Sequence, residues 1–139
     1  MGLPPCGESW PSGARAVIGD LRTINQAEIT YASTYNVGYS PSLAALGPGT
    51  SSTPTATAAG LIDEVLARGT KSGYVFTYTP GPRDADGKIG SYTITAHPAE
   101  YGKTGDWEFF SDQTGVIRAV REDRPATTQD RPIDELEIE

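Results

Sequence analysis

The sequence of 139 residues holds one cysteine, Cys6, and one histidine, His97. A lone cysteine excludes an intramolecular disulfide and a cysteine-based zinc cage. A lone histidine excludes the clustered imidazoles of most transition-metal sites. Long apolar runs are missing too, so no stretch is expected to span a bilayer. The opening MGLPPCGESWPSG has no basic end followed by an apolar stretch, and on that pattern no signal peptide is expected in it. Positive charge is scarce: 11 Lys plus Arg against 18 Asp plus Glu leave a net charge of -7. With no basic cluster to offset it, such a surface repels phosphate backbones and anionic lipids, and no nucleic-acid partner is expected. Leu, Ile, Val and Phe number only 25, but seven Tyr and two Trp add apolar bulk. Together they support one small core, in keeping with the size of a single domain. Gly (16), Pro (11) and Thr (16) take the places where clustered ionisable or nucleophilic groups would be needed for catalysis. The composition argues for a scaffold and against an enzyme.

Residues 1–13 carry three Pro and three Gly and read as a disordered lead-in or a remnant of cloning, with Cys6 incidental to it. The alternative for Cys6 is an attachment thiol. From Ala14 the pattern changes. Val17, Ile18, Leu21, Ile24, Tyr31 and Tyr35 recur at three- and four-residue intervals, which predicts one helix over 14–34 with Ser12 as its N-cap. Gly38 and Pro41 end it. SPSLAALG holds one helical turn at Leu43 to Leu46. Every residue from Gly47 to Gly60 is Gly, Pro, Ser, Thr or Ala, so this stretch is expected to stay unpacked, as a solvent loop or an O-glycan acceptor. GLIDEVLARG then predicts a short helix with Leu61, Ile62, Val65 and Leu66 on one side.

The second half changes period. GYVFTYTP and SYTITAHP alternate as strands, GDWEFFSD and VIRAV supply two more, and Asp86-Gly87 marks a tight turn. Short polar connections favour an antiparallel meander. The fold class is therefore α+β, with a long N-terminal helix packed on a four-stranded antiparallel sheet. Ten of the last nineteen residues are charged, so 122–139 reads as a charged tail. Ile133, Leu136 and Ile138 are its only means of docking a short strand or turn.

Three constellations invite a functional reading. Asp84 and Asp86 resemble the start of a calcium loop, but Lys88 stands at the fifth position and a strand at the twelfth, so a hairpin turn explains them. Only distant carboxylates such as Asp106 or Asp112 would complete a cation site. His97 with Glu100 or Asp106 is the one acid–base set on offer, and no nucleophile accompanies it. Trp107, Phe109 and Phe110 would suit a sugar-stacking face, although alternating aromatics on a strand usually pack. No Gly-rich stretch has the frame of a phosphate cradle. No catalytic residue, metal or cofactor is expected.

ARAVIGDLRTINQAEITYASTYNVGYSPSLAALG (Ala14–Gly47), GLIDEVLARGTKSGYVFTYTPG (Gly60–Gly81), SYTITAHP (Ser91–Pro98) and SDQTGVIR (Ser111–Arg118) together resemble the bacterial type IV pilins and type II secretion pseudopilins. The resemblance covers residues 14 to 121. It implies a pilin-like globular domain there, lacking the hydrophobic first half of the family's long helix. It further implies a structural subunit of an extracellular filament, anchored in the inner membrane before assembly and polymerising with other pilin subunits. Adhesion, motility, DNA uptake and protein secretion are the roles such filaments serve. The family's cleaved leader and apolar start are not in this sequence, and deletion to make a soluble domain is the expected reason. Membrane contact and filament assembly would both depend on that segment, and the helix start around Ala14, Val17 and Ile18 is expected to be partly exposed where it would continue. Many relatives close a C-terminal loop with a disulfide. Ser111 and Ala126 stand where those cysteines would be, so packing alone is expected to hold this loop. The competing readings are a stand-alone secreted ligand- or carbohydrate-binding module using Trp107, and a small enzyme using His97.

Overall fold

Apolar residues at three- and four-residue spacing build one continuous helix, α1, over Ser12–Tyr35, about 36 Å long at 1.5 Å per residue. The computed structural model describes residues 12–49 and 53–133. Cys6, Leu136 and Ile138 lie outside the described residues. Val17, Leu21, Ile24 and Tyr31 are all buried, as the stripe requires. Ser12 is the first helical residue and not the residue before the helix, so the cap position falls outside the described residues. After α1 the backbone turns out through Asn36 (φ 56°) and Gly38 (φ 81°). Gly38 is required there because the Val37–Tyr39 backbone bonds to Ile89 on both sides, and a Cβ at 38 would lie 2.1 Å from the Ile89 carbonyl oxygen.

The helical turn α2, Leu43–Leu46, is capped by Ser42, whose Oγ accepts from Ala45 N at 3.2 Å. The next helix, α3, covers only Glu64–Ala67. It is shorter than GLIDEVLARG predicts. The Leu61 and Ile62 amides both donate to the Leu46 carbonyl, and Asp63 opens the helix by accepting from Leu66 N at 2.6 Å. Ile62 and Leu66 are buried, while Val65 is half exposed and off the apolar side expected for it. The Gly/Pro/Ser/Thr/Ala stretch also departs from expectation. Ala59 is buried, and the Ala56 carbonyl accepts from the Tyr31 hydroxyl. Small side chains let this backbone come close enough to be held by its own amides, as in Ala59 N to Ala45 O at 2.9 Å.

The sheet is a six-stranded antiparallel meander and not a four-stranded one. Its strands are β1 (Thr70–Lys71), β2 (Tyr74–Pro80), β3 (Tyr92–Pro98), β4 (Glu108–Asp112), β5 (Ile117–Val120) and β6 (Arg131–Pro132), in spatial order 1-2-3-4-5-6. The four expected strands are β2 to β5. The two added at the edges have two residues each, too few to show any alternation. On the inner face Tyr74, Phe76, Tyr92, Ile94, Ala96, Phe109, Ile117 and Ala119 join the α1 stripe in one core. The outer face carries Thr77, Thr93, Thr95, His97, Glu108, Phe110 and Arg118 by alternation.

Two departures from the expected pattern follow from loops. The start of α1 is buried, with Ala14 at 4 %, Val17 at 0 % and Ile18 at 2 % exposure, in the same core that holds Trp107. The stretch 101–107 comes close to it, since a Cβ at Gly13 would meet the Thr104 carbonyl. On β4 Glu108, Phe109, Phe110 and Ser111 are buried in succession, so the sheet is covered on both faces at this strand. The β5–β6 loop, residues 121–130, covers the outer side. Arg118 Nη1 donates to the Asp130 carbonyl at 2.9 Å, and Ala126 is buried.

Candidate functional site

The α1 stripe is interrupted by two polar residues, Asn25 and Glu28, one turn apart and both facing the sheet. Asn25 Oδ1 accepts from the Tyr92 hydroxyl at 2.6 Å, and Asn25 Nδ2 donates to Ser111 Oγ at 3.0 Å. Ser111 Oγ in turn donates to the Val116 carbonyl at 2.9 Å. Glu28 is wholly buried. Its two carboxylate oxygens accept from Ser40 N and Ser40 Oγ, each at 2.8 Å. The Tyr78 hydroxyl donates to the Ser40 carbonyl at 2.8 Å, and its ring stacks on Tyr92 with centroids 5.5 Å apart. These groups form a polar seam between helix and sheet. Burial pushes the Glu28 carboxyl above its ordinary value, against the pull of the Ser40 donors. Burial likewise raises the Tyr78 and Tyr92 hydroxyls, and the nearby Glu28 adds to both.

A second polar group ties α1 to α3. Lys71 Nζ lies 3.3 Å from Asp20 and 2.7 Å from Asp63. Burial raises the Asp20 carboxyl in spite of Lys71, and its Oδ2 is buried without a partner among the described residues.

A third lies on the outer face. Glu108 is 3 % exposed, and none of the described residues donates a hydrogen bond to its carboxyl. Burial pushes it up to about 7, with Asp123 adding to the rise and Arg124 opposing it. Arg124 is itself held by Asp130 at 2.7 Å and Glu122 at 2.8 Å.

The structure scatters the residues that the sequence singles out. His97 is exposed on the outer face of β3, paired in register with Val75. Glu100 is within 3.4 Å of Lys103, and Asp106 holds Arg121 at 2.6 Å, so each candidate acid is engaged elsewhere. Trp107, Phe109 and Phe110 are 9 %, 0 % and 7 % exposed. Buried rings of this kind present no open stacking platform. Asp84 Oδ1 accepts from the amides of Asp86 and Lys88, at 2.9 and 3.0 Å, and so closes the β2–β3 turn. Asp112 Oδ1 makes the same kind of turn with Thr114 N at 3.0 Å. Among the described residues no three of His, Cys, Asp and Glu gather to hold a metal ion. Ser111 and Ala126 are both buried, and the segment between them is held by more than packing. The seam anchors Ser111, β6 pairs with β5, and Arg118, Arg124 and Asp130 bind the loop.

Asn25, Glu28, Ser40 and Glu108 are the polar residues that sequence reasoning passed over. Glu28 had a readable signal: it stands four residues after Ile24 and three before Tyr31, on the stripe itself. Glu108 had a weaker one, a single charge between Trp107 and Phe109. Among the described residues no helix is long and apolar enough to cross a membrane. No family model, curated protein or solved structure matches this chain.

Proposed function

We propose that this chain is the globular head of a filament-forming structural subunit of the type IV pilin or pseudopilin kind, and that it is not an enzyme. The observation that carries the reading is the layering: one helix of about 36 Å laid across an antiparallel meander. The buried Asn25, Glu28, Ser40 and Ser111 join helix to sheet instead of converging on a cleft. In this reading copies of the chain are its partners, bundled through an apolar segment ahead of α1, with the sheet and loops facing outward from an extracellular filament. The net charge of -7 keeps such heads soluble and apart from nucleic acid and anionic lipid. The experiment is to read the coding sequence upstream of Ser12 and to immunogold-label filaments on cells of the source organism. An apolar segment behind a cleavable leader, with labelled filaments, is the expected result. A soluble upstream domain, or label confined to the cell interior, overturns it.

One observation favours the runner-up, a ligand- or carbohydrate-binding module. A groove of about 320 Å³ on the outer face brings Thr79, Ser91, Thr93, Asp112 and Gln113 against Phe110. Amide chemical shifts at these residues, followed during titration with monosaccharides, test it. Saturable shifts that vanish in Thr93→Val would support this reading, and an unresponsive groove would remove it.

A further inference from the structure

Glu108 is placed oddly for a carboxylate. It begins β4 on the sheet's outer face, opposite Val120 of β5, where the β5–β6 loop leaves the sheet and brings the charges of Asp123 and Arg124 to bear on it. The charged groups around it do not neutralise it. From the loop, Asp123 adds a like charge, and Arg124 is already divided between Glu122 and Asp130. From β5, Arg118 stands two residues along the same face and is bound to the Asp130 carbonyl. On β3, His97 lies one step beyond the last pair of the β3–β4 ladder, Ala96 with Phe109. Before β4, Asp106 is taken by Arg121, and the Tyr101 hydroxyl donates to the Asp106 carbonyl. On the inner face the nearby Tyr74 hydroxyl donates to the Trp107 carbonyl at 3.0 Å. His97 apart, which the register sets across from Glu108 on the same face, each of these donor side chains is bound to another acceptor.

We infer that Glu108 is a proton-operated latch for the β5–β6 loop: protonated, it lets residues 121–130 close over the outer face, and ionised, it favours their release. Opening gives the carboxyl water in place of a nearly covered site with Asp123 beside it. The loop's other attachments are the ones expected to yield locally. They are the Arg124–Asp130 pair, the Arg118 bond to the Asp130 carbonyl and a two-residue ladder. Release uncovers Phe110 and Ala126, two apolar residues that belong to the outer side and not to the main core.

The pH window follows from linkage. In the closed loop the carboxyl titrates at about 7, and in the open loop near its ordinary 4.5. Closure is therefore fully favoured below the open-state value. It weakens as pH rises between the two values and is level above the closed-state value. From pH 5 to 7.5 the opening constant should rise about 50-fold.

The experiment follows two signals on the whole chain from pH 4 to 9. One is the Glu108 side-chain carboxyl carbon by NMR. The other is hydrogen exchange at the Arg124, Thr127 and Asp130 amides, corrected for intrinsic rates. Expected are a Glu108 midpoint near neutrality and an opening constant that rises over the stated window while the β2–β3 amides stay flat. Glu108→Gln should abolish the pH dependence. Asp123→Asn, an exposed change that spares the fold, should lower the Glu108 midpoint. A Glu108 midpoint in the ordinary carboxylate range, or loop opening that ignores pH in the unaltered chain, overturns the latch. So does an unchanged pH dependence in Glu108→Gln.

Discussion

Asn25 offers the sharpest test of how helix and sheet are joined. Replacing it by Ala removes the acceptor of the Tyr92 hydroxyl and the donor to Ser111 Oγ. Each buried hydrogen bond contributes about 1 kcal/mol net, and a buried hydroxyl left unpaired costs about 1–3 kcal/mol. Ser111 keeps its bond to the Val116 carbonyl, so the Tyr92 hydroxyl bears most of the penalty. Asn25→Ala should then destabilise by about 2–4 kcal/mol, and Tyr92→Phe and Ser111→Ala by about 1–2 kcal/mol each. The three losses should not add. Asn25→Leu combined with Tyr92→Phe and Ser111→Ala removes every member of the chain at once, leaving no orphaned buried group except the partly exposed Val116 carbonyl. That triple variant should lose less than the sum of the singles, because apolar replacement of all partners is close to neutral. Urea unfolding at constant m-value reads the difference directly. Single losses below about 0.5 kcal/mol, or a triple loss equal to the sum, would refute the reasoning.

Leu21→Ala and Ile24→Ala remove fully buried side chains and should each cost about 2–5 kcal/mol in the same assay, whereas Ile29→Ala, 59 % exposed on the same helix, should change stability by less than about 0.5 kcal/mol. Gly38→Ala combines a positive φ with a Cβ 2.1 Å from the Ile89 carbonyl and should lose more than about 2 kcal/mol; Gly87→Ala, with a similar φ and open space around it, should lose only about 1 kcal/mol. Melting in millimolar calcium and then in excess chelator should give the same midpoint, since Asp84 Oδ1 is already occupied by two backbone amides. A rise of several degrees that disappears in Asp84→Ala would reveal a cation site.

What the sequence made legible was periodic. Val17, Leu21, Ile24 and Tyr31 announced α1, and the alternation in YVFTYTP and YTITAHP announced β2 and β3 with their faces. What stayed hidden was pairwise. Glu28 stands on the stripe, but nothing local says that Ser40, twelve residues on, will supply both of its donors. Asn25 finds Ser111 across eighty-six positions. Arg131 and Pro132 form a strand only because β5 offers an open edge, a tertiary cause with no counterpart in a two-residue pattern. The same holds for the candidate sites. His97, Glu100 and Asp106 are close in sequence, yet the strand faces and the ion pairs to Lys103 and Arg121 divide them.

The way this fold holds its C-terminal loop has a consequence for the surface it presents. A covalent bridge between 111 and 126 would restrain the loop at any pH and ionic strength by limiting the unfolded chain. Here the same span depends on Ser111 in the seam, a two-residue ladder, and Arg118, Arg124 and Asp130. Arg124 and Asp130 bond through the guanidinium fork, a geometry stronger than a single exposed contact, but Arg124 is partly in water and open to screening by salt. Beneath them lies a carboxyl whose burial favours the loop only while it is protonated. Rising salt and rising pH therefore act on the loop in the same direction. The seam, being buried, answers to neither in the same degree. The helix and the inner face of the sheet should keep their packing under conditions that loosen residues 121–130, so the outer face can change shape while the core beneath it does not.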